Sequence, residues 1–263
     1  MNLINLSAID LSIAALLVVL LAVLGLRMQL GMSKQIIIAA MRTTLQLMLI
    51  GLVLKAIFEN VNLFYMAAIA IVMLLVAGRE VMARQTHRFR GWWGFGMGTM
   101  SMFVSTFVVT LFALTVIIGN KPWYTPQYAI PLLGMMLGNT MTGISLGLER
   151  MTSAARAQKN IIEARLSLGE PAQQAMSEIR KESMRTGMLP MVNAMAAAGI
   201  VSLPGMMTGQ ILAGSPPLEA VKYQILIMFL ITAGTGFGTM TAVWLGAHRL
   251  FDERERLRLD RLK

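Results

Sequence analysis

The sequence contains no cysteine. That excludes a disulfide framework, a thiolate metal site and a cysteine nucleophile. Only two histidines occur, His87 and His248, and both stand in polar stretches. Charge is scarce as well. Only 14% of the 263 residues are charged, where a soluble domain carries roughly a quarter. No Gly-Lys dipeptide occurs anywhere, so there is no Walker A phosphate loop and no ATP hydrolysis by that route. His-Glu-x-x-His is missing too, which removes one common hydrolytic site. No Asp or Glu falls in the middle of a long apolar run; Asp10, Glu59 and Glu219 lie at run ends or between runs. Ion-coupled carriers usually need ionisable groups at depth. A transporter built from this chain would therefore draw its energy from a partner. A membrane enzyme is disfavoured by the want of any acid, base or metal cluster.

What the chain does have is apolar length. Hydrophobic residues make up 56% of it and the mean hydropathy is +0.65. Seven runs come close to the roughly twenty residues that cross a bilayer core, at about 7–26, 36–58, 62–77, 97–118, 127–148, 189–213 and 222–247. These predict an all-α integral membrane protein with seven transmembrane helices. The first ten residues lack the basic region of a cleaved signal, so the first run is expected to remain as a span. With the N-terminus outside, 19 of the 23 Lys and Arg residues fall in cytoplasmic segments and the C-terminus is cytoplasmic. The positive-inside rule favours this split. The net charge of +10 is explained by that distribution. Apart from Phe89 between Arg88 and Arg90, aromatic residues do not interleave with the basic ones as a nucleic-acid site would require, so the partners expected are membrane lipid and protein. Trp92 and Trp93 precede the fourth span and Trp123 and Tyr124 follow it, as interfacial belts or as helix-gap fillers.

Between spans five and six lies a charged segment, 149–187, predicted as a cytoplasmic coupling segment of two helices. The first is expected over Met151 to Leu168. Gly169 suits a left-handed stop, and Pro171 suits the first turn of the next helix. In the second, Ala172, Ala175, Met176 and Ile179 share one face. That face could dock a soluble partner or lie on the membrane surface. Beyond it, Pro204 lacks a backbone donor and Gly205 adds freedom, so the sixth span is expected to break there, as a hinge or as an ordinary kink.

Polar residues inside the runs are few. Arg42 and Gln46 share a face of the second helix. Asn139 lies in the fifth run, and Asn193, Ser202 and Gln210 lie in the sixth. They could line a pathway or simply hydrogen-bond between helices. Small residues recur at four-residue spacing in three runs, at Gly134 and Gly138, at Gly205 and Gly209, and at Gly234, Gly238, Ala242 and Gly246. Such strips let helices approach closely, within one subunit or across a homodimer seam. The 24 methionines serve adaptable packing or a path for a soft metal.

Two resemblances emerge from these residues. Glu163-Ala164-Arg165-Leu166-Ser167-Leu168-Gly169 resembles the Glu-Ala-Ala-x-x-x-Gly coupling loop of ABC transporter permeases, with Arg165 in place of the second Ala. Ser167 to Gly169, Val201 to Gly209, Lys222-Tyr223-Gln224-Ile225, Arg42 with Gln46-Leu47, and Gly134-Met135 with Gly138-Asn139 are similar to the FetB family of iron-export permeases. That likeness runs in order over about residues 36 to 246. It implies a permease subunit of a bacterial inner membrane, working as a homodimer with a cytoplasmic ABC ATPase subunit that holds the ATP and magnesium. No cofactor would be bound by this chain. The coupling residues implied are Glu163, Ala164, Arg165, Leu168 and Gly169. In that family an acidic residue often stands where this chain has Asn193 and a Lys where it has Ala196. Iron prefers carboxylate oxygens, and none is offered at depth, so the metal ligands remain unassigned. The rival reading is a non-transporting scaffold or sensor that recruits a partner through the same loop.

Overall fold

The computed structural model describes residues 7–59 and 62–263. Ten α-helices follow one another, with no strand among the described residues. They are α1 (Ala8–Arg27), α2 (Ser33–Glu59), α3 (Leu63–Ala83), α4 (Trp92–Ile118), α5 (Pro126–Ala157), α6 (Lys159–Ser167), α7 (Ala172–Ala175), α8 (Ser177–Ala197), α9 (Gly205–Leu212) and α10 (Pro217–Arg249). α4 is continuous but widens into π geometry over Phe103–Phe107 and Ala113–Ile118. Six helices (α1 to α5 and α10) are long and apolar enough to cross a membrane.

The chain forms two compact units, one of residues 1–61 with 212–214 and one of the remainder. In the first, α1 starts on a capping box in which Ser7 and Asp10 satisfy each other's backbone donors. It turns through Gln29 and Gly31, both left-handed, into α2. The helices meet where Gly25 faces Ser33. Leu45, Leu47 and Leu49 on α2 are all more than half exposed, which suits side chains solvated by lipid.

The second unit is built on α5, α8 and α10. Added Cβ atoms at Gly143 would strike Thr235 and Thr239 of α10 and the Gly187 carbonyl of α8; at Gly147 they would meet Thr239, Val243 and the Ser183 carbonyl. Moving four residues along α5 thus moves four along α10 in the same sense and four along α8 in the opposite sense. α5 and α10 are parallel, and α8 is antiparallel to both. Met136 against Gly234 and Met151 against Gly246 extend the parallel pairing along α10. α3 and α4 run antiparallel, with Gly78 against Thr99 and Gly98 against Val81.

The structure corrects two expectations of the sequence. The run 189–213 is not one continuous helix. α8 stops at Ala197, residues 198–204 are non-helical, and α9 is only eight residues long. The charged segment is also not an inserted pair of helices. α5 runs on to Ala157 and α8 begins at Ser177, so only α6 and α7 remain as a short hairpin between two long helices. Gly187 and Pro190 do not stop α8. Gly187 is required by contact with α5, which outweighs its poor helix propensity.

Candidate coupling tip and polar interior

The hairpin tip is assembled from the inside out. Ile162 of α6 is 1% exposed and packs into the same core as Met151, Ala155, Met176 and Ile179. Burying such a side chain contributes about 1.5–3 kcal/mol, enough to anchor a nine-residue helix that could not hold itself. Leu166, one turn on, packs against the same core. The outer face carries Glu163, paired with Lys159 at 3.7 Å. Ser167 Oγ donates to the Glu163 carbonyl at 2.9 Å. Leu168 then stands 85% exposed. Gly169 has φ +89°, a left-handed stop that glycine adopts without the Cβ penalty. The Glu170 N–H returns to the Arg165 carbonyl at 3.1 Å. The five residues Glu163, Ala164, Arg165, Leu168 and Gly169 thus form one exposed tip, with only Arg165 half-buried.

The apolar face of Ala172, Ala175, Met176 and Ile179 is real but already occupied. All four are buried within the chain, so this face neither docks a partner nor lies on a membrane. What the segment presents outward is the tip. The sequence could not show that the partner of this face was the chain's own core.

Three segments converge around the hairpin: the α3–α4 loop, the end of α5 and the tail after α10. The Thr86 N–H donates to Glu149 at 2.7 Å. Arg156 Nη1 meets His87 Nδ1 at 3.1 Å. The Arg90 N–H donates to the Arg261 carbonyl and the Lys263 N–H to the Arg88 carbonyl, each at 2.8 Å. The Ala172 N–H donates to Glu255 at 3.1 Å. In the tail, Asp252 accepts the Arg254 and Arg256 N–H groups and Arg256 Nε. Those bonds, led by the Arg256 N–H, hold its carboxyl down at about 2. The three segments that the charge count assigned to one side of the membrane are together at one end of this unit.

The break beyond α8 is made differently from the expectation at Pro204 and Gly205. Gly199 is left-handed at φ +84°, and its N–H donates to the Ser202 carbonyl at 2.9 Å. The helix has therefore ended before Pro204 is reached. Pro204 opens α9 instead, its carbonyl accepting the Thr208 N–H at 3.1 Å and the Thr208 hydroxyl at 3.2 Å. Gly205 has open space about it.

The predicted pathway residues do not form one cluster. Arg42 and Gln46 are exposed on α2, in the first unit. Asn139 Nδ2 donates back to the Met135 carbonyl at 2.8 Å. Asn193 is exposed on α8. Ser202 Oγ reaches only the Ala197 carbonyl at 3.5 Å. Gln210 Oε1 is buried without a hydrogen-bond donor. The sequence reading picked out Thr140 but missed the other members of a row of buried hydroxyls where α4, α5 and α10 meet. Thr140, Thr235, Thr239 and Thr106 are each no more than 1% exposed, and their oxygens have no partner. Among the described residues no three His, Cys, Asp or Glu side chains come together to hold a metal ion.

Residues 8–251 match the model of the family described as "Uncharacterised protein family (UPF0014)". The chain belongs to the UPF0014 family. It is 40% identical over 228 residues to "UPF0014 membrane protein slr1647" of Synechocystis sp., covering 87% of each chain. It is 34% identical over 233 residues to "Protein ALUMINUM SENSITIVE 3" of Arabidopsis thaliana, covering 88% of this chain and 83% of that one. To "Probable iron export permease protein FetB" of Escherichia coli it is 28% identical over 264 residues, covering 100% and 99%. No solved structure matches it significantly. As a UPF0014 chain with six helices able to cross a bilayer, it is a multi-pass membrane protein.

Proposed function

We propose that this UPF0014 protein is the permease subunit of an ABC transporter that exports iron or another metal from a bacterial cell across the inner membrane. An ATP- and magnesium-binding subunit would seat on the Glu163–Gly169 tip, and two copies of the chain would form the working dimer. The observation that carries this reading is the tip itself. Leu168 is 85% exposed on a hairpin whose base is sealed by Ile162 at 1%. A rigid base under an exposed apolar knob is what transmission of force from a soluble partner requires. α8 leads from the hairpin to the 198–204 break as one helix of 21 residues, about 30 Å at the helical rise. A push at the tip would travel along this rod to the break. The full-length likeness to the FetB protein supports metal as cargo.

The parallel course of α5 and α10 supports a seventh crossing. Two parallel spans need the chain to return across the bilayer between them, and only α8 with α9 is available for that return. A non-helical turn at membrane depth is tolerated where protein or a cavity surrounds it. The N-terminus would then be outside and the C-terminus inside.

The test is co-purification with a co-expressed ABC ATPase subunit from the same genome, run with Leu168→Asp and Gly169→Arg. Both variants should lose the ATPase. Leu168→Asp should keep the thermal stability of the parent chain because the side chain is exposed, while Gly169→Arg should cost about 1–2 kcal/mol for a Cβ in the left-handed region. Undiminished co-purification and transport with both would remove the docking reading and favour a scaffold. Metal content and efflux in a deletion strain test the cargo. Unchanged iron with altered handling of an organic solute would overturn the metal.

A further inference from the structure

A cavity of ≈ 1020 Å³ opens at the polar end of the second unit. Small-molecule pockets run to about 300–1,000 Å³, so this one is at the top of that range. One wall is apolar. It is made by Trp92, Trp93, Met97 and Met100 at the start of α4 and by Trp244 on the last turns of α10. Trp92 is 86%, Met100 58% and Trp244 50% exposed, so this wall runs out onto the lipid-facing surface of two spans. Tryptophans at such a position belong to the headgroup level of a bilayer.

The other wall carries three arginines among charged side chains of both signs. Arg249 lies over the Trp93 ring at 4.5 Å and shares the cavity with Arg180 and Arg261. Arg261 is occupied, donating to the Arg249 and Phe251 carbonyls at 2.7 and 2.9 Å. Arg180 is only partly occupied: one amino group donates to the Gln173 carbonyl at 3.0 Å, and its Nε is buried with no acceptor. Asp252, Glu253 and Glu255 also line the cavity. Asp252 is paired with Arg256 and Arg258, Glu255 accepts the Ala172 N–H and Glu253 is exposed; none of the three is ion-paired with Arg180 or Arg249. α4 also begins at Gly91 with no side-chain cap on its first N–H groups, which leaves a partial positive charge at that end.

We infer that this cavity binds one anionic phospholipid, its phosphate held by Arg180 and Arg249 and its acyl chains laid along Trp244, Met97 and Met100. Arg180 and Arg249 both line the cavity without a carboxylate partner, and arginine suits phosphate oxygens in particular. A free phosphate would leave the long apolar wall uncovered, whereas a zwitterionic phospholipid would bring a cation beside the arginines along with its phosphate. The lipid would tie the α4 start, the α10 end and the α8 base together at the level where the hairpin is anchored. The inference rests on the membrane character of the chain and is independent of its cargo or partner.

The full-length protein in neutral detergent is titrated with dioctanoyl phosphatidylglycerol, dioctanoyl phosphatidylcholine and inorganic phosphate. Binding is read by tryptophan fluorescence and by native mass spectrometry. Phosphatidylglycerol should bind saturably with one retained lipid per chain. Phosphatidylcholine should bind at least about fivefold more weakly, the worth of one basic residue at a membrane surface. Arg180→Gln and Arg249→Gln should each lose about fivefold in phosphatidylglycerol affinity, and Arg249→Lys should lose less. Lys159→Gln, remote from the cavity, should leave the affinity unchanged. Thermal melting reports whether each variant is folded, and an unfolded Arg249→Gln leaves Arg180→Gln to decide. Equal affinity for the two lipids, or no loss in a folded Arg180→Gln, would overturn the inference. Full competition by millimolar inorganic phosphate would also overturn it, by making the cavity a simple anion site.

Discussion

At the scale of single residues, glycines that look alike in sequence do different work. Gly138 has open space about it, whereas Gly187 lies against the Gly143 carbonyl and Thr239. A methyl at Gly187 would meet a backbone atom that cannot rotate away. Gly187→Ala should therefore destabilise the protein by about 1–3 kcal/mol through overpacking, read as a lower melting temperature in detergent. Gly138→Ala should be neutral or slightly stabilising, because alanine is the better helix former. Asp252 offers a second test. Its carboxyl is held down from 3.8 to about 2, chiefly by the Arg256 N–H. A carboxylate with a depressed folded value stabilises above its unfolded value and loses that contribution as pH falls through the folded one. The tail should therefore loosen between about pH 4 and pH 2. Hydrogen exchange at the Arg254 and Arg256 amides should rise across that window and be raised already at neutral pH in Asp252→Asn. A flat profile would mean that the tail is held by other contacts.

At the scale of elements, the break between α8 and α9 is written by Gly199 more than by Pro204. Gly199 holds φ +84° and its N–H reaches Ser202, so the helix has stopped five residues before the proline. A Cβ in the left-handed region costs about 1–2 kcal/mol. Gly199→Ala should accordingly lower stability or transport more than Pro204→Ala, which leaves the α9 carbonyl bonds intact. Transport assays on the two variants side by side decide this, and the reverse order would restore Pro204 as the hinge. The sequence pointed to Pro204 because proline announces a break by covalent chemistry. A left-handed glycine has no such signature until the hydrogen bond across the turn is seen. The small-residue strip of α10 was legible for the opposite reason: Gly234, Gly238, Ala242 and Gly246 keep strict helical spacing, and the structure buries them against α5 and α4. The matching strip on α5 was misassigned. Gly143 and Gly147 make the close contacts, whereas Gly138 makes none.

At the scale of the whole molecule, the question is how many times the chain crosses. Six helices are long and apolar enough, while the parallel α5–α10 pair asks for a seventh passage by way of α8 and α9. The absence of cysteine makes the answer accessible. Single cysteines at Leu168 and Lys263 should be labelled by an impermeant thiol reagent only after the membrane is opened. One at Trp123 should be labelled in intact cells. Labelling of Leu168→Cys and Trp123→Cys from the same side would rule out the seven-crossing arrangement.

The sequence by itself determined the medium in which this protein folds. Apolar runs of bilayer length and sparse charge call for lipid as solvent. It also determined the tip, because the Leu168–Gly169 stop is local chemistry. The tertiary structure decided what each face is for. The apolar stripe at Ala172 to Ile179 is identical in sequence whether it meets a partner, a membrane or its own chain. Only the packing of Ile162, Met151 and Leu250 beside it shows that the chain fills it. The same holds for the break at Gly199 and the parallel pairing of α5 with α10. Each depends on contacts between residues far apart in the chain, which periodicity cannot encode.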